Sequence, residues 1–94
     1  MNSLRDLQEW DAAQCDGDWE HMFGVRIASL DNPGWLLEID LGGTGLESRP
    51  FGTVIDGEAR RWVHMQVSKG VWKGACHPLG LDQVIDSFLA WARR

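Results

Sequence analysis

The chain has 94 residues and a formal net charge of −5; 44% of it is hydrophobic and 24% charged, with 6 Trp, 3 Phe and no Tyr. That length predicts one domain over 1–94, and the composition excludes a disordered or low-complexity chain. The acidic balance argues against direct binding to nucleic acid, where Lys and Arg must displace counterions from phosphates, and suits a basic protein partner.

Ser3 to about Cys15 reads as a helix, with Ser3 as N-cap, Asp6 three residues on, and Leu4, Leu7, Trp10 and Gln14 at helical spacing. Asp16-Gly17 then stops it, because glycine readily takes the left-handed conformation that closes a helix. From Phe23 the period becomes two. Phe23, Val25 and Ile27 share one face, and Trp35, Leu37, Ile39 and Leu41 repeat the pattern. Keeping both apolar sets on one side pairs Ile27 with Leu37 and Val25 with Ile39, which leaves Leu30 to Gly34 as the loop. Pro33-Gly34 there suits the middle of a type II turn.

After Gly42, Gly43 and Gly45 comes a weaker strand near Phe51 to Ile55 whose register the pattern does not fix. Trp62 to Val67 and Val71 to Cys76 form a hairpin around Lys69-Gly70, pairing Val67 with Trp72, Met65 with Gly74 and Val63 with Cys76. The same register sets Trp62 opposite His77 and His64 opposite Ala75, gathering an aromatic ring and two imidazoles on the reverse face. Pro78 and Gly80 end the sheet. Leu81, Val84, Ile85, Phe88, Leu89, Trp91 and Ala92 form the wide apolar stripe of a final helix, with Arg93 and Arg94 at its C-terminal end. The order predicts an α+β fold, an antiparallel meander of about five strands with an N-terminal and a C-terminal helix.

No apolar run approaches the ~20 residues of a membrane span, and MNSLRDLQEW lacks the basic and apolar regions of a secretory signal, so a cytoplasmic protein without a membrane partner is expected. Cys15 and Cys76 lack CxxC spacing and read as buried or partly buried thiols rather than a disulfide framework. Catalysis needs a nucleophile beside a base or convergent carboxylates; Ser29, Ser68 and Ser87 stand in no elbow motif, and Gly42-Gly43-Thr44-Gly45 lacks the lysine of a phosphate loop. The reading is therefore of a non-enzyme with no cofactor. His21, His64, Cys76 and His77 are metal-ligand types, but their spacing matches no zinc pattern, and the register turns Cys76 away from His64 and His77.

Two partner-binding surfaces emerge. Asp16, Asp18, Trp19 and Glu20, with Asp31 from the turn, make either a solvated rim with Trp19 anchored in the core or an acidic patch with an aromatic anchor for a basic protein. Trp62, His64 and His77 make the second. The oligomeric state is left open.

The ordered strings LQEW (Leu7–Trp10), QCDGDWEH (Gln14–His21), LDNPGW (Leu30–Trp35) and IDL (Ile39–Leu41), then Trp62 with His64 and FLAWA (Phe88–Ala92), resemble the immunity protein 53 family. The likeness spans nearly the whole chain and is weakest over Gly52–Arg61. It departs at Asp11, where an aromatic often follows the tryptophan, and at Ala75–Pro78, where a glycine-rich step often precedes the proline. The resemblance implies a bacterial cytosolic immunity protein of a polymorphic toxin system, which binds and blocks a cognate toxin domain without catalysis. A small ligand- or metal-binding regulatory module is the alternative.

Overall fold

A computed structural model describes residues 2–94. Helix α1 spans Ser3–Gln14 and is capped by Asn2, whose side chain accepts the Arg5 N–H at 3.0 Å. The cap thus lies one residue before the expected Ser3, whose hydroxyl instead donates to Asp86 at 2.6 Å. The helix ends at Cys15 in an extended conformation, and Gly17 takes its positive φ of 98° in the following turn. That turn leads into a four-residue helix, α2 (Trp19–Met22), which alternation and helical spacing did not reveal.

Strands β1 (Val25–Leu30) and β2 (Gly34–Asp40) form a hairpin in the expected register, with Ile27 opposite Leu37 and Val25 opposite Ile39. The loop is shorter than expected, Asp31 to Pro33, and Pro33-Gly34 does not form the middle of a type II turn. Gly34 is already in β2, paired with Leu30, and glycine is required there for space: a Cβ would run into the Cys76 carbonyl oxygen. Strand β3 (Val54–Asp56) pairs with β4 (Val63–Ser68), placing Ile55 opposite His64 and fixing the register that the sequence left open. Strand β5 (Val71–Cys76) pairs with β4 as expected, through a turn where both Lys69 (φ 53°) and Gly70 (φ 76°) are left-handed, the geometry that two-residue hairpins favour. Helix α3 (Leu81–Ala92) closes the chain.

The fold is the expected α+β arrangement, five antiparallel strands between an N-terminal and a C-terminal helix. The sheet order is β1-β2-β5-β4-β3, so sequential strands are neighbours except at the step from β2 to β3, where the chain crosses to the far edge. Pairing of β2 with β5 joins the two halves. Leu37 and Ile39 on β2, Val63 and Met65 on β4, and Trp72 and Cys76 on β5 are buried on one face, where α3 packs and α1 packs against α3. Gly74 makes room for that contact, since a Cβ would meet Val84 and the Trp72 ring. Arg49 donates to the Trp91 carbonyl at 2.8 Å, so the cation bonded to the C-terminal carbonyls of α3 comes from the β2–β3 connection. Among the described residues no helix is long and apolar enough to cross a membrane.

Candidate functional site

The aromatic residues sort the two predicted surfaces. Trp10 packs edge-on against Phe88 (4.9 Å between centroids) and Trp19 (6.3 Å), Phe88 against Trp72 (5.3 Å), and Phe51 against both Trp72 and Trp91 (5.7 and 5.4 Å). Such edge-to-face pairs align positive ring edges with negative ring faces. Trp35 donates its indole N–H to the Pro78 carbonyl, and Trp91 donates to Pro50. Trp62 differs from the other five. Half-buried, it takes part in no ring pair among the described residues and neither belongs to the core cluster nor packs against it; its indole N–H, like those of Trp10 and Trp72, has no protein partner there.

Trp19 turns inward and is 6% exposed. Its N–H donates to the Gly42 carbonyl at 2.8 Å, and the flat glycine step beneath admits the rings: a Cβ on Gly42 would sit 2.8 Å from Phe23, and one on Gly43 3.3 Å from Trp19. Around it the carboxylates serve the backbone. Asp16 accepts the N–H groups of Asp18 and Trp19, both at 2.9 Å, while Glu20 reaches back to those of Asp16 and Gly17 at 3.0 Å. This reciprocal arrangement fixes the entry to α2. Bonds from Trp19 and Asp18 hold the Asp16 carboxyl below its ordinary value; bonds from Glu20's own N–H, then from Asp16 and Gly17, do the same for Glu20. Asp18 is exposed and its side chain caps nothing.

The other surface lies on the sheet face opposite the helices. Register aligns Ala28, Leu36, Ala75, His64 and Ile55 in one row across all five strands. Beside it runs a charged row, Arg26, Glu38, Lys73 and Gln66, whose ion pairs join Glu38 to Arg26 and to Lys73 at 3.8 Å each. On the other side Trp62 accepts the His77 N–H through its carbonyl at 3.0 Å. Its ring lies over Gly34, where a Cβ would sit 3.4 Å from Cζ2. Asn32, Pro33, Arg60, Trp62, His77 and Leu79 line a groove of about 350 Å³ here, with Leu79 91% exposed. A hollow of about 370 Å³ on the helix side lies between Phe51, Val54, Met65 and Trp91, which belong to or pack on the core, and Ser87, Ala90 and Arg94 from α3 and the residues after it.

The predicted residues therefore divide. Trp62, His64 and His77 share the open sheet, and Asp31 sits in the β1–β2 loop beside the groove-lining Asn32 and Pro33. Asp16, Asp18, Trp19 and Glu20 gather at the opposite end of β2, against Gly42 and Gly43. Cys76 is buried on the core face, and burial raises the pKa of its thiol; Cys15, expected to be at least partly buried, is instead exposed because it lies past the end of α1. Among the described residues no three His, Cys, Asp or Glu side chains are grouped to hold a metal ion.

The family model for immunity protein 53 matches residues 4–93. The chain belongs to the immunity protein 53 family. No curated protein and no solved structure matches it. The match includes α1 from Leu4 on, the glycine step, the hairpin loop and α3, so both surfaces lie within the family domain. Sequence reasoning missed Leu79 and Ile55 (76% exposed) on the second surface; the available signal was an apolar residue stranded between Pro78 and Gly80, and one beside Asp56-Gly57.

Asp40 links the two ends of the sheet's first hairpin. It accepts two bonds from Arg26, at 2.9 and 3.2 Å, and the Gly24 N–H at 3.0 Å. Arg26 above all, with Gly24, lowers the Asp40 carboxyl below its ordinary 3.8 against the opposing effect of burial. A depressed folded value adds stability above 3.8 that is lost as the pH falls through the lower folded value. Asp40→Asn is expected to cost about 1 kcal/mol at pH 7, given a half-exposed arginine partner. Urea melts of both proteins should converge toward about pH 2; a gap that stays constant would assign the cost to packing.

Proposed function

We propose that this chain neutralises a cognate bacterial polymorphic toxin domain by binding it stoichiometrically in the cytoplasm, without catalysis of its own. The match to the immunity protein 53 family over residues 4–93 carries the reading. The open sheet face supplies the surface. Trp62, His77 and Leu79 form its apolar anchor, His64 extends it along the sheet, and Asp31 stands at its rim. A half-buried tryptophan with a free indole N–H suits an interface hot spot, because its large area is already partly ordered and its donor awaits a partner.

Asp16, Asp18 and Glu20 serve as a second, long-range element. Together with the chain's net charge of −5 they steer a basic toxin surface toward it, while Trp19 holds their corner in place. Calorimetry with the toxin domain encoded beside this chain, at two salt concentrations and paired with growth rescue on co-expression, tests the reading. One-to-one binding that weakens with salt, together with rescue, is the expected result. Absence of both binding and rescue would overturn this reading in favour of a small ligand- or metal-binding regulatory module.

A further inference from the structure

One edge of the sheet is left ready for another strand. Among the described residues strand β1 pairs only with β2. The Asp40 N–H donates to the Gly24 carbonyl at 3.1 Å, and antiparallel bonding alternates along a strand. Arg26, Ala28 and Leu30 therefore bond toward β2, while Val25, Ile27 and Ser29 turn their N–H and C=O groups to the free edge. The usual protections of an edge are missing: β1 contains no proline or lysine, and its one charge, Arg26, is drawn across to Asp40 and Glu38.

A groove of about 240 Å³ runs beside this edge, between Leu4, Leu7, Gln8 and Asp11 of α1 and Val25 and Ile27 of β1. Ile27 points to the helix side of the sheet yet is 40% exposed, and Leu4 is 48% exposed, because α1 rests on α3 rather than over β1. Asp11 overlooks the apolar floor and has no ion-pair partner among the described residues.

We propose that an extended, basic segment of the toxin adds as a strand to β1. Its main chain completes the bonds of Val25, Ile27 and Ser29; one side chain enters between Leu4 and Ile27, and a Lys or Arg two residues along meets Asp11. Side chains two apart share a face, so one strand satisfies both demands. Charge selects this occupant over a second copy of the chain. Pairing β1 with itself about a two-fold axis would bring two α1 helices together, each with Asp6, Glu9 and Asp11, on two bodies of net charge −5.

This proposal rests on the toxin-binding reading and is separable from it. In the complex with the neighbouring toxin domain, amide exchange at Val25, Ile27 and Ser29 should slow at least tenfold, while Arg26 and Ala28 are protected with or without toxin. Ser29→Pro removes an edge N–H that β2 does not use, and Asp11→Lys reverses the groove charge; each should weaken binding at least tenfold, and Ser29→Pro should retain the fold. A rescued, tightly bound complex with unchanged edge exchange and both variants at full affinity would overturn strand addition and leave the immunity reading standing. No complex at all would overturn both. A dimer in sedimentation that Ser29→Pro dissolves would replace the toxin strand with a second copy.

Discussion

Truncating Trp62 to alanine should weaken the toxin complex by about 2–4 kcal/mol, a loss of roughly 30- to 1000-fold in affinity. The size of the effect follows from where the ring lies. It covers Gly34, walls the groove beside His77 and Leu79, and sends its N–H to no protein acceptor among the described residues. A partner that closes the groove removes the ring from water and can supply the acceptor, and both gains disappear with alanine. The chain itself should stay folded, because Trp62 takes no part in the core cluster. Isothermal titration beside a thermal melt separates the two effects. Wild-type affinity with Trp62→Ala would move the interface away from this end of the sheet.

The opposite result is expected at Trp19. Alanine there removes a buried indole, its bond to the Gly42 carbonyl and its contacts with Trp10 and Phe23, at a cost of about 3–5 kcal/mol. Small domains carry only about 5–15 kcal/mol in total, so the variant should melt far below the parent or fail to fold. Trp19→Phe keeps part of the packing but not the hydrogen bond, and should fall between. A wild-type midpoint for Trp19→Ala would mean that the corner is dispensable to the fold, and Trp19 would then return as a candidate contact residue. Thermal melts of the three proteins decide it.

These contrasting tryptophans show what the sequence could reveal. Hairpin registers were readable because strict alternation allows a strand only one buried face, and a one-residue slip would expose every apolar side chain of β2. That rule alone placed Trp62 and His64 on the reverse face. No comparable rule existed for Trp19, which lies in a four-residue helix too short to show a period; only Gly42-Gly43, more than twenty positions away, discloses where its ring goes. The strand near Phe51 to Ile55 kept its register hidden because it pairs along three residues with glycines on both sides. The β2–β5 pairing was equally silent, since any two strands with matching apolar faces can adjoin. Ile27 misled in a different way: its position on the apolar face was correct, but cover depends on where a helix comes to rest, which is a property of the assembled layers.

The core is assembled from opposite ends of the sequence. Trp10 of α1 packs edge-on against Phe88 of α3, and Ser3 bonds Asp86 across 83 residues. Closing so long a loop forfeits chain entropy before any contact compensates, so the contacts between α1 and α3 are expected to form after the local hairpins. Until Leu81–Ala92 has left the ribosome, Leu37, Ile39 and Trp72 have no helix to cover them. That apolar face therefore stays open until the last helix has been made and has docked, and a fragment lacking Leu81–Ala92 should leave it uncovered.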